Sequence, residues 1–212
     1  MIISHEYKCI FLKVGKTASS SIEIAMEKLC NHPKDVVTPV TNYQKYNPNF
    51  KARNWLCPNG RRKFRKHMSA RKVKKHVSEY VWTNYFKFCF ERNPWERVIS
   101  YWSHEHAVGK VKQSLNRFVF SDRIFLLEGH SGWDIYTIDN EVVLDKVYLY
   151  EDLDNSLKDI SKRTGMPLLQ LPHAKGQFRK DRRDFHKVLS KKSIRRIAKI
   201  FHKEVEMWGY QA

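Results

Sequence analysis

The stretch from Lys8 to Glu27, KCIFLKVGKTASSSIEIAME, most constrains what this chain can become. It opens on the apolar run Cys9-Ile10-Phe11-Leu12, which reads as a short buried strand. The chain then turns through Lys13-Val14-Gly15-Lys16-Thr17. It enters a helix whose apolar positions, Ile22, Ala25, Met26 and Leu29, fall at helical spacing. Ser19, Ser20 and Ser21 sit where that helix begins. A strand feeding a helix through a loop with a lysine and several hydroxyls makes an anion cradle. The first helical N–H groups have no internal partner, and the helix dipole favours negative charge there. Lys16 adds a point charge for a phosphate or sulfate. The plainer alternative is an ordinary strand–helix connection with a surface lysine.

A second stretch repeats the strand-to-helix pattern. Tyr85-Phe86-Lys87-Phe88-Cys89-Phe90 reads as a buried strand and runs into Glu91-Arg92-Asn93-Pro94-Trp95-Glu96-Arg97. Asn93 suits the N-cap and Pro94 the first helical position. Arg92 is thereby held at a strand end, with Ser100 about two helical turns on. Arginine offers a bidentate fork to phosphate and serine a hydroxyl donor. An amphipathic helix with an incidental arginine is the alternative.

The chain has 212 residues, enough for one substantial α/β domain, 1–212, and no Gly/Ser linker or internal repeat divides it. Forty Lys+Arg against 22 Asp+Glu give a net charge of +18. That imbalance points to polyanionic partners: nucleic acid, anionic membrane, charged glycans or a multiply charged nucleotide. Cys9, Cys30, Cys57 and Cys89 show neither C-x-x-C nor zinc spacing, and Cys9 and Cys89 lie in apolar runs as reduced core residues. No apolar stretch is long enough to span a membrane. The chain reads as cytoplasmic, as would a clipped luminal enzyme.

Between the two stretches, residues 31–66 carry Pro33, Pro39, Pro48 and Pro58, the aromatics Tyr43, Tyr46, Phe50 and Trp55, and the run Arg61-Arg62-Lys63-Phe64-Arg65-Lys66. Aromatic and basic residues together suit a sugar or polyanion groove, or single-stranded nucleic acid. His67-Met68-Ser69 then leads into a short basic helix capped by Ser69 and ending near His76. His104 and His106 are a metal pair by type, but two residues apart they do not converge on one helix face. Ser114–Glu128 reads as one helix with Leu115, Phe118, Val119, Phe125 and Leu126 inward, followed by a turn at Gly129-His130-Ser131-Gly132. Val142–Tyr150 reads as a third strand, with Asp152 capping a helix over Leu153–Arg163 that Gly165 stops. A basic loop precedes a last amphipathic helix over Ser190–Trp208.

The two strand-to-helix stretches resemble the nucleotide motifs of sulfotransferases that use 3′-phosphoadenylyl sulfate (PAPS), in particular small members of the uronosyl 2-O type. Lys16–Ser21 (KTASSS) matches the 5′-phosphosulfate loop, P-K-T-A-[GS]-[ST]-S, and departs at Gly15, where the family carries proline. Arg92–Trp102 matches the 3′-phosphate motif, R-[ND]-P-x-x-R-x-x-S-x-[YW], at every defined position.

The resemblance implies a three-layer, P-loop-like α/β fold: a mostly parallel central sheet flanked by helices, with the nucleotide at the carboxyl ends of the strands. It implies sulfuryl transfer from PAPS to a hydroxyl acceptor, with a glycan favoured and adenosine 3′,5′-bisphosphate as product. Lys16, Thr17, Ala18, Ser19, Ser20 and Ser21 would hold the phosphosulfate, with Lys16 stabilising the leaving phosphate. Arg92 and Ser100 would hold the 3′-phosphate. His67 matches the family histidine that takes the acceptor proton, and an ordinary pKa near 6.5 suits that role. Lys175, Arg179 and Arg183 would close the nucleotide site, although Arg179-Lys180-Asp181 lacks the glycine of the family's R-K-G. The scheme needs no metal and no obligatory nucleic acid. Two rivals stand beside it. A P-loop kinase is favoured by Gly15-Lys16-Thr17 and disfavoured by Ile10, where a Walker A loop needs glycine. A nucleic-acid-binding module is favoured by the charge and the aromatics.

Overall fold

The computed structural model describes residues 1–41, 46–129, 131–172, 178–179 and 181–212. Tyr43, His130 and Lys175 lie outside the described residues. Five strands form the main sheet, in the order β3 (Val36–Val37), β1 (Ile2–Ser4), β2 (Cys9–Phe11), β4 (Phe86–Glu91), β7 (Lys146–Leu149). β2, β4 and β7 pair in parallel, whereas β1 runs antiparallel to both β2 and β3. The sheet is therefore mostly parallel, with one reversed strand.

Side chains alternate across these strands, and the two sets build two cores. Ile3, Ile10, Leu12, Cys89 and Val147 face one side, against Val73 of α2 (Ala70–His76), Val81 of α3 (Glu79–Asn84) and Trp133–Tyr136. Ile2, Cys9, Phe11, Phe88, Phe90 and Tyr148 face the other, against α1 (Ser19–Glu27) and α7 (Leu153–Thr164). The result is a helix–sheet–helix arrangement. A third core lies beside it, where α4 (Pro94–Ala107) packs on α5 (Leu115–Val119), α8 (Phe185–Val188) and α9 (Lys191–Ile200). There Trp95 stacks on Phe185 at 5.1 Å and donates its Nε1–H to the Ile194 carbonyl at 3.0 Å.

Three expectations need correction. The helix expected over Ser114–Glu128 is α5, a 3-10 turn at Asp122–Ile124 and α6 (Phe125–Glu128). The Ser121 hydroxyl takes the Phe118 carbonyl at 2.7 Å, and Ser121 itself is extended, so the helix ends and its phase is lost. Ile124 and Leu127 turn inward in place of Phe125 and Leu126, which are 45% and 47% exposed. The strand expected over Val142–Tyr150 is two elements. Asp139 and Asn140 both have left-handed φ (54° and 67°), and this two-residue turn joins β5 (Thr137–Ile138) to β6 (Glu141–Val142) as a separate hairpin. The last helix breaks at Phe201 (φ −100°, ψ 31°), which is fully buried, leaving α9 and α10 (His202–Trp208). Ser69 and Asp152 stand at the N-cap positions of α2 and α7 without side-chain cap bonds. Among the described residues the four cysteines are free, and no helix is long and apolar enough to cross a membrane.

Candidate functional site

β2 delivers the loop Lys13–Ala18 at its carboxyl end. Lys16 and Ala18 take left-handed φ (68° and 56°), a conformation that side chains with a Cβ adopt at a cost of about 1–2 kcal/mol each. The hydroxyls expected to face an anion hold the loop in this shape. Thr17 Oγ1 and Ser19 Oγ donate to the Val14 carbonyl at 3.2 and 2.8 Å, and Thr17 is fully buried. Ser20 Oγ accepts from Lys13 Nζ at 3.2 Å. Lys13 is buried and also pairs with Glu23, whose carboxylate accepts from Thr38 Oγ1 at 3.0 Å.

Gly15 explains the departure from the family's proline. Its N–H donates to the Ser131 carbonyl at 2.7 Å, and proline has no such donor. A Cβ on Gly15 would lie 3.0 Å from Ser131 Oγ.

β4 ends one strand away, and Asn93 caps α4 by accepting from the Glu96 N–H. Arg92 reaches across to donate to the Lys16 carbonyl at 3.4 Å and to Glu96 at 3.4 Å, with its guanidinium 4.3 Å over the Tyr150 ring. Its Nε–H is buried and finds no acceptor among the described residues. That is a donor in want of an oxygen, at the junction of the two motifs. Ser100 lies half-buried on α4. Arg179 joins this group by gripping the Glu96 carboxylate with both terminal nitrogens, and its other donors go to the Asp181 and Arg183 carbonyls. Arg183 is exposed and paired with Asp181, away from Arg92's partners. A cleft of about 690 Å³ opens between Arg92, Glu96, Tyr150 and the 151–155 segment, and its lining sets the acids Glu96, Glu151, Asp152 and Asp154 beside Arg92 and Lys158.

The residue that binds these parts together had no assigned role in the sequence reading. Arg97 is fully buried. It donates to the carbonyls of Gly15 (3.1 Å), Leu127 (2.7 Å) and Ser131 (2.8 Å), and pairs with Glu91 at 2.8 Å and Glu204 at 3.8 Å. Burial first, then the neighbouring Glu91, pushes the Glu204 carboxyl up to about 8. Gly132 leaves room for this arginine, since a Cβ there would sit 2.6 Å from Arg97 Nη2.

His67 lies at the base of the loop. Its Nδ1 is 2.9 Å from the Lys13 carbonyl, and a carbonyl only accepts, so Nδ1 carries the proton and Nε2 keeps its lone pair. Burial, with Lys13 adding to it, pushes the imidazole pKa down to about 3, so the ring stays neutral with Nε2 unprotonated, but as a weaker base than the ordinary imidazole expected from the sequence. His104 and His106 have different occupations. His104 pairs with Glu105, while His106 bonds the Val111 carbonyl and stacks on Trp102. Among the described residues no group of three or more acids, histidines and cysteines is placed to hold a metal.

The sequence family described as "Sulfotransferase family" matches residues 1–123, a span that takes in the loop, His67, Arg92, Arg97 and Ser100. An archaeal protein of Archaeoglobus fulgidus, titled only "Uncharacterized protein", is 28% identical over 101 residues, covering 47% of this chain and 84% of that one. No solved structure matches. With the match spanning more than half of its 212 residues, the chain belongs to the sulfotransferase family.

Proposed function

We propose that the chain transfers a sulfuryl group from PAPS to a hydroxyl of an acceptor, a glycan being the class the family favours. PAPS supplies an activated sulfuryl group and leaves as the bisphosphate. The observation that carries the reading is the bond from Arg92 to the Lys16 carbonyl, which makes one anion site of two motifs 76 residues apart. The buried, acceptor-less Arg92 Nε–H fits a 3′-phosphate oxygen, and Ser100 is the second donor assigned there. Lys16 and the amino end of α1 supply positive charge where the leaving phosphate forms. His67 takes the acceptor proton at Nε2, its ring oriented by the Lys13 carbonyl. Arg179 supports Arg92 through Glu96, and the Arg183 carbonyl helps to hold Arg179 by accepting from it. The exposed Arg61, Arg62, Lys63, Arg65 and Lys66, anchored by the buried Phe64, offer a basic surface to an anionic acceptor.

Thermal shift with three ligands tests the reading. Stabilisation grows as RT ln(1 + [L]/Kd). Adenosine 3′,5′-bisphosphate should raise the melting temperature, with ATP–magnesium and a short oligonucleotide giving little. A larger shift with ATP–magnesium would restore the kinase reading. One with the oligonucleotide would restore the nucleic-acid reading.

A further inference from the structure

Helix α9 and the segment 117–126 beneath it form a face that the transfer scheme does not use. α9 reads KKSIRRIAKI, five cations and no acid, with Ser193 and Ile197 turned into the core. Lys192, Arg195, Arg196 and Lys199 are three or four residues apart and share one side. Lys192, Arg195 and Lys199 are exposed, and none has an acidic partner among the described residues. Arg196 ties the helix to the segment below: its Nε–H donates to the Val119 carbonyl at 2.9 Å, and its guanidinium lies 5.2 Å over the Phe120 ring. Phe120 is 53% exposed, and Phe125 and Leu126 follow on the same segment, exposed because the helix breaks at Ser121. Arg117 and Arg123 are exposed there too, with Asp122 as the intervening acid.

Cations beside protruding large apolar side chains fit the boundary between lipid headgroups and acyl chains. An arginine lying on a ring keeps its charge at the phosphates while the ring goes deeper. Duplex nucleic acid would engage the same cations and leave Phe125 and Leu126 in water. We propose that this face docks the protein on an anionic lipid bilayer, with the α9 stripe on the headgroups and Phe120, Phe125 and Leu126 at the acyl boundary. The Leu126 carbonyl accepts from Ser131 Oγ, and the Ser131 carbonyl accepts from Gly15, so docking sets the anion loop beside the membrane surface. The inference does not depend on which group the loop transfers.

The experiment is sedimentation with phosphatidylcholine vesicles, with and without phosphatidylserine, using the whole chain. Binding should require phosphatidylserine and weaken with salt. Lys192→Glu/Arg195→Glu/Lys199→Glu should lose at least about tenfold in affinity. Arg61→Glu/Arg62→Glu/Lys63→Glu, with the same charge change elsewhere, should lose far less. Phe120→Ser/Phe125→Ser/Leu126→Ser should also lose binding, at unchanged net charge. All nine side chains are exposed, so the fold should survive, and circular dichroism checks it. Equal loss in both charge variants would reduce the effect to net charge and overturn the proposal. So would unaltered binding by the apolar variant, or wild-type binding indifferent to phosphatidylserine. Tight duplex-oligonucleotide binding without vesicle binding would make the face a nucleic-acid surface instead.

Discussion

Replacing Arg97 by methionine keeps much of the side-chain length and removes the charge and every donor. The structure sets the expected cost. Arg97 and Glu91 are both fully buried, and losing one partner of such a pair costs about 3–5 kcal/mol, because the remaining charge is stranded. Glu91 already has one oxygen without a hydrogen-bond partner among the described residues. The carbonyls of Gly15, Leu127 and Ser131 also lose a donor, at about 1–3 kcal/mol for an unsatisfied buried group. The Ser131 carbonyl keeps the Gly15 N–H, and members of one network do not add, so the total should be about 4–6 kcal/mol. In a chain of this length that lowers the melting temperature by roughly 8–24 °C. Urea denaturation of wild type and Arg97→Met, with thermal melts in parallel, measures it. Adding Glu91→Gln to the variant should recover part of the loss, since it removes the stranded carboxylate. A loss under about 1 kcal/mol, or no recovery in the double variant, would refute the claim that Arg97 holds the loop to the rest of the fold.

Four further outcomes are expected. His67→Asn should lower kcat by about 10²–10⁴-fold with bisphosphate affinity nearly unchanged; single-turnover transfer at saturating cofactor measures it, and a rate close to wild type would remove His67 from the chemistry. Arg92→Ala should weaken bisphosphate binding far more than binding of the analogue lacking the 3′-phosphate, by about 1.5–3 kcal/mol, read by calorimetry. Gly15→Pro should destabilise the chain, because the lost bond to Ser131 (about 1 kcal/mol or more) and the crowding there exceed the proline's entropic benefit; a higher melting temperature would contradict this. Glu204 holds its proton in the fold up to about pH 8 but releases it near 4.5 when unfolded, so its contribution to stability falls as pH rises between those values, by roughly 1.4 kcal/mol per unit at most. Glu204→Gln should flatten that slope in urea melts taken across the range.

The two motifs were legible because their geometry is local. A buried run, a cap residue and a proline fix where strand gives way to helix, and Cys9–Phe11, Phe86–Glu91 and Pro94–Ala107 appear where the pattern places them. Arg97 was marked by the second arginine of the motif, but its role was not legible. Its partners lie 82 residues back and 30 to 34 residues ahead, and no periodicity announces a side chain that serves carbonyls. Lys13 and Glu23 escaped for a related reason: a charged pair ten residues apart looks like surface until the fold buries both. Phe125 and Leu126 were misplaced because one serine hydroxyl outcompeted the helix and reset its phase. The same local competition is invisible to a hydrophobic period.

The wiring of Arg97 has a consequence for the order in which the protein assembles. Chains emerge amino end first. When residue 97 has been made, its receptor for one N–H, Gly15, is already present, but Leu127, Ser131 and Glu204 are not. β4 likewise waits for β7, some 58 residues later, before its second edge is covered. The nascent chain therefore carries the whole anion loop and both of its motifs while the scaffold that fixes their spacing is still unmade. Long-range closure of this kind is slow, because the loop entropy must be overcome before the contacts form. Competence to bind an anion should arise late, together with the carboxyl-terminal helices, although nearly every residue proposed to touch the anion is synthesised in the first half.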